Sequence, residues 1–193
     1  MVSCHLQVNR RATAGAATAD LRDEHEVILQ ALAVLERVAH RLAAERTVNE
    51  PALADLVQFL QTFADRCHHA KEEDQLFPAL RAKGAGDALA VFREEHEEGR
   101  GYLRTLATGA SRAAAARAAA ARRYVSLLQS HIEPENEVLF PMADGLFTPE
   151  EHGALARAYA DVELRVMGAG AHETLLTTLA RLDAAVPCDP LES

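Results

Sequence analysis

Two short units in the sequence place a glutamate four residues after a histidine: His68 with Glu72, and His131 with Glu135. On an α-helix, residues at this spacing share a face, so each pair can aim an imidazole and a carboxylate at one point. Those two donor types together suit a divalent transition ion. A single pair of this kind is usually no more than a surface ion pair, but here the unit occurs twice with its flanks. Phe77 and Pro78 follow the first pair, and Phe140 and Pro141 follow the second at the same offset. A further histidine is also duplicated, in Arg22-Asp23-Glu24-His25-Glu26 and in Arg93-Glu94-Glu95-His96-Glu97, two pentads that differ by one carboxylate swap. One helical hairpin therefore occurs twice.

The elements that must position these residues are helical. Alanine and leucine dominate the chain, aromatics make up 5% of it and tryptophan is absent, so strands have little to build on and the fold class should be all-α. A first helix, capped by Asp20 and running to about Ala44, carries Leu21, Ile28, Leu32 and Leu35 on one stripe. Pro51 opens a second helix that continues past Phe77. Gly84 and Gly86 break the chain, Asp87 caps a third helix that ends at Thr108 and Gly109, and a fourth runs through an alanine-rich stretch to about Ala143. Thr148, Pro149 and Glu151 form a capping box for a fifth helix. Gly168 and Gly170 interrupt it before a short last helix from His172 to about Ala184. The organisation expected is a loose tail over 1–19, a four-helix up-down bundle over 20–145, a helical extension over 146–185 and a disordered tail over 186–193.

Hairpin arithmetic brings the duplicated residues to one height. His25 and the His68/Glu72 pair are nearly equidistant from a turn at Thr47, so they share a layer. For His96 and His131 the same requirement places the turn near Ala113, inside the alanine-rich stretch, instead of at Gly109. Four imidazoles and two carboxylates then meet inside a bundle, which is how bundles build metal sites. Burying them without an ion would leave charges unpaired at roughly several kcal/mol each.

A net charge of −9 and the lack of a basic cluster interleaved with aromatics exclude tracking along nucleic acid. Apolar runs are short and interrupted by charge, and Arg10 and Arg11 have no apolar segment behind them, so a soluble cytoplasmic protein is expected, with no membrane partner. Cys4, Cys67 and Cys188 lie at remote spacings and read as reduced thiols, Cys67 packed.

On the second helix two registers compete, because His69 and Glu73 repeat the spacing of His68 and Glu72. The repeat favours His68 and Glu72, since Glu72 stands to Phe77 as Glu135 stands to Phe140. His69 and Glu73 then fall on a flanking face, behind the ligands or open to solvent. His5, His40 and His152 read as surface residues, and His172 with Glu173 as a contribution from the last helix. Pro134, between His131 and Glu135, removes a helical hydrogen bond at a cost of roughly 3 kcal/mol and should kink the fourth helix.

These residues together resemble the hemerythrin-like, HHE cation-binding family. The resemblance rests on His25 in Asp-Glu-His-Glu, on the run from Cys67 to Pro78, on Glu-Glu-His-Glu around His96, and on His131 to Pro141. It implies a four-helix bundle whose metal ligands are His25, His68, Glu72, His96, His131 and Glu135. Two iron ions, joined by an oxo or hydroxo bridge, would sit between the glutamates, although manganese or zinc suits the same donors. Four residues after His96, where oxygen-carrying hemerythrins have another histidine, stands Arg100. It cannot be a ligand; it either faces the site, where it would pair with a bridging or nearby carboxylate or donate to an oxygen species at the centre, or turns to solvent. The function implied is binding or turnover of O2, peroxide or NO at an open two-metal site, in stress defence or iron handling. The alternative is a non-catalytic sensor of oxygen, redox state or iron.

Overall fold

The structure is a computed structural model that describes residues 17–86, 89–109, 112–169 and 171–186, excluding the side chains of 171–174 and 176. Cys4, His5, Asp87, Cys188 and the side chain of His172 lie outside the described residues. Every regular element described is helical. No helix among the described residues is long and apolar enough to cross a membrane.

Helix α1 spans Thr18–Ala43 and buries Leu21, Ile28, Leu32 and Leu35, the stripe expected from the sequence. Asp20 does not cap it: the helix starts earlier, after Ala17, with no side-chain cap. The Thr18 hydroxyl instead bonds Asp144, tying the helix start to a distant segment. The second rod covers 50–82. Asn49 caps it by accepting from the Ala52 N–H at 3.2 Å, and Pro51 sits in its first turn. Along this rod α2 (Glu50–Leu60) passes into a π-helical segment, Gln61–His69, then a second, Glu72–Leu76, and finally α3 (Phe77–Ala82). α4 spans Leu89–Ala107. Gly109 (φ 58°) lies shortly after α4, and Ala113 is the residue before α5 (Ala114–Pro134). A π turn, Glu135–Leu139, leads on to α6 (Phe140–Leu146).

Pro134 does not end this rod. The chain passes there from α- to π-helix, whose wider turn bonds each N–H to the carbonyl five residues back. The same wide turn occurs in both halves of the repeat. Phe77 N–H donates to the Glu72 carbonyl, and Phe140 N–H to that of Glu135.

The rods close a four-sided bundle in which α1 and α4 each pack against both α2 and α5. α7 (Pro149–Met167) lies across the two π segments of the second rod, and α8 (Ala171–Ala185) packs on α1, α2 and α7. Buried apolar residues form two clusters. Ile28, Cys67, Leu103 and Leu128 belong to one, and Leu21, Leu76, Phe77, Phe92, Leu139 and Phe140 to the other. On each rod the duplicated histidine lies between members of the two clusters, so a polar layer divides the core.

The cap on α7 is reciprocal: Thr148 Oγ1 accepts from the Glu151 N–H at 3.3 Å, and Glu151 Oε2 accepts from the Thr148 N–H at 2.8 Å. Thr148→Ala should lower the unfolding free energy measured in urea by about 1 kcal/mol, while Thr148→Ser should leave it nearly unchanged.

Candidate metal centre

The polar layer gathers the six residues singled out by the repeat. His25, Glu72, His96 and Glu135 have no exposed surface, and His68 and His131 retain 1%. Two groups of potential donors form, each with its atoms within 4.8 Å of one another: His25, His68, Glu72 and Glu135, and His69, Glu72, His96 and His131. Glu72 spans them, with Oε1 3.4 Å from His68 Nε2 and Oε2 3.5 Å from His96 Nε2. Glu135 Oε2 lies 3.2 Å from His25 Nε2 and 3.3 Å from His131 Nε2. Both carboxylates thus lie where they could bridge two ions.

Behind the imidazoles stands a ring of acceptors. His68 Nδ1 donates to Glu24 at 2.9 Å and His131 Nδ1 to Glu95 at 2.7 Å. His96 Nδ1 donates to Glu73 at 2.7 Å and His25 Nδ1 to Asn136 Oδ1 at 2.9 Å. An ionised carboxylate or an amide oxygen can only accept, so each ring carries its proton on Nδ1 and turns the Nε2 lone pair inward when neutral. The support follows the repeat. Glu24 and Glu95 each precede the histidine of their pentad and back the histidine of the other helix in the hairpin. Glu73 and Asn136 each follow the glutamate of their pair and back a pentad histidine. The duplicated pentads held this signal, which composition and spacing alone leave unread.

Lys71 was not anticipated either. It is buried, and its ammonium bonds Glu24 and lies 3.4 Å from Glu163 on α7. Burial works against its charge, but Glu24 raises its pKa overall. Tyr159, also on α7, has a buried hydroxyl without a hydrogen-bond partner, and the charges of Glu72 and Glu24 add to the effect of burial in raising its pKa.

Two expectations need correction. His69 is not on an exposed flanking face: it is 3% exposed, and its ring stacks on His96 with centroids 3.8 Å apart. His152, read as a surface residue, is 7% exposed and accepts the Ala17 N–H on Nδ1 at 3.2 Å. His40 is exposed, as expected. Cys67 is buried and free, outside both donor groups, and burial pushes its thiol up to about 12.

Arg100 takes the first of its expected courses, pairing with carboxylates beside the site and not turning to solvent. It lies beside the site, with Nε 2.6 Å from Asp65 and Nη2 2.7 Å from the Glu73 oxygen that accepts from His96. Burial alone would raise the Glu73 carboxyl, but the His96 hydrogen bond and Arg100 hold it down at about 2.

The donor set fits a cation. His25 Nε2, His68 Nε2 and all four oxygens of Glu72 and Glu135 are buried without a hydrogen-bond partner. Unpartnered groups of this kind cost free energy that a divalent ion would offset. Burial opposes protonation of His68 and His131, but Glu72 lifts the first to about 10 and Glu135 the second to about 9. Among the metal-free groups, protons therefore take the place of a cation.

The family model described as the hemerythrin HHE cation binding domain matches residues 16–143 of the chain. An uncharacterized protein of Mycobacterium tuberculosis (strain H37Rv) is 27% identical over 88% of this chain and 70% of its own length, and so is one of Mycobacterium bovis. No solved structure matches the chain.

Metal and protons should compete for these imidazoles. His68 and His131 have pKa values raised above the unfolded value, so their contribution to metal-free stability is complete below about pH 6.5 and lost as pH rises through about 9 to 10. At pH 7.5, titrating metal into the metal-free chain in buffers of different ionisation enthalpy should show release of about two protons per chain. No proton release would refute this account of the two histidines.

Proposed function

Because the chain belongs to the hemerythrin HHE cation-binding family, we propose that His25, His68, Glu72, His96, His131 and Glu135 hold two iron ions for reaction with O2, peroxide or NO. The observation that carries this reading is the pair of carboxylates. Glu72 and Glu135 are fully buried, lie between two sets of imidazole nitrogens and have no hydrogen-bond partner for any of their oxygens.

Two imidazoles and an oxygen from each glutamate give each ion four protein ligands and leave room for a small exogenous one. Iron in such a site supplies a redox-active centre of the kind used in oxidative or nitrosative stress defence and in iron handling. The donors also accept manganese or zinc, and the choice of iron rests on the family. The residues of the chain fix the geometry. Glu24, Glu95, Glu73 and Asn136 hold the four rings in one tautomer, and Phe77 and Phe140 stack against His96 and His25 and keep water from that end of the layer. The free, buried Cys67 suits a reducing compartment, and we place the protein in the cytoplasm.

A sensor is the second reading, supported by the link from the site to α7. Glu24 backs His68 and bonds Lys71, and Lys71 reaches Glu163 on α7, so a change in ligation can be transmitted to a helix outside the bundle.

Protein purified without added metal, or loaded anaerobically with Fe(II), should carry about two ions per chain, mostly iron. His68→Ala and Glu72→Gln should each abolish the two-metal centre. One zinc per chain with no uptake of iron would refute the proposal. Rapid consumption of peroxide or NO by the iron-loaded protein would identify an enzyme. A ligand-dependent change in α7 protection from hydrogen exchange, without turnover, would identify a sensor.

A further inference from the structure

The two halves of the repeat differ most at one side of the centre. His69 follows His68 in the first half, and the residue in the matching place after His131 is Ile132. Asp65, three before His68, is matched by Leu128, and Arg100, four after His96, by Leu29. Leu128 and Ile132 are buried in the core, and Leu29 packs against it. Three polar residues beside the centre in one half of the repeat are thus matched by three apolar residues in the other.

His69 reaches the centre for a reason of backbone geometry. It closes the π-helical segment Gln61–His69, in which more residues make up each turn than in an α-helix. Consecutive side chains therefore diverge less, and His68 and His69 can both turn inward. A donor nitrogen of His69 lies within 4.8 Å of those of Glu72, His96 and His131, and its ring meets that of His131 with centroids 5.9 Å apart. Its Nδ1 is on the side of Asp65 Oδ1, 3.9 Å away and without a hydrogen-bond partner, which leaves Nε2 facing the opposite way. Arg100 is held by Asp65 and Glu73, so the position four after His96 offers no ligand.

Building on the two-ion reading above, we propose that His69 is a fifth imidazole ligand. It makes the centre unequal: His69, His96 and His131 serve one ion, and His25 and His68 the other.

The test loads the full chain anaerobically with Co(II), whose paramagnetism shifts the ring N–H signals of every coordinated imidazole. The two-cobalt protein should show five such signals in proton NMR and His69→Gln four. The variant should bind its first cobalt with unchanged affinity and its second more weakly, by more than the roughly 10–100-fold loss that follows removal of a group behind a ligand. Four shifted imidazoles in the two-cobalt parent would overturn the assignment of His69 alone, as would a variant that holds both ions at parent affinity. Should His69→Gln fail to fold by circular dichroism, the count in the parent decides by itself. A parent that binds only one cobalt would overturn the two-ion reading and His69 with it.

Discussion

Glu72 and Glu135 impose the constraint on which the rest of the structure depends. Each is fully buried in the polar layer between two apolar clusters, and neither has a hydrogen-bond partner for either oxygen. Carboxylates so placed are costly unless positive charge surrounds them. Four imidazoles supply the inner shell of such an environment, and the backbone is adapted to hold it. A π turn begins at each glutamate, at Glu72–Leu76 and at Glu135–Leu139, so the distortion of the helix coincides with the residue that needs it.

Rigidity comes from reciprocity between the hairpins. The helix that carries one histidine also carries the acceptor for another, so no ring can rotate without disturbing a second rod. Glu24 serves His25's neighbour His68, and Glu95 does the same for His131 across the second hairpin. This arrangement preorganises the site, because inward-facing lone pairs depend on Nδ1 protons being held outside. The apolar clusters above and below exclude water and raise the strength of every interaction in the layer.

The helices beyond the bundle are joined to this layer and do more than cover it. Through Lys71, α7 connects Glu163, near the surface, with the acceptor behind His68. Tyr159 on the same helix buries its hydroxyl on that side of the centre. The part of the chain that follows the matched residues 16–143 therefore contributes to the electrostatics of the site.

The all-helical class, the doubled hairpin and the six residues of the layer were legible in the sequence, because a spacing of four residues and an internal repeat survive in one dimension. The cap on α7 was legible for the same reason, being local chemistry at fixed offsets. Three things were decided only by tertiary structure. His69 was assigned to a flank because the internal repeat selects His68, and it turns inward where the rod is π-helical, a property of backbone pairing that no residue type announces. For Arg100 the choice between the site and solvent was left open, and two carboxylates from another rod, Asp65 and Glu73, hold it beside the site. Asp20 looked like a cap, yet α1 begins before it, where Thr18 is fastened to Asp144 more than a hundred residues away. Each case turns on a partner distant in the chain or on a departure from the regular helix, and local pattern carries neither.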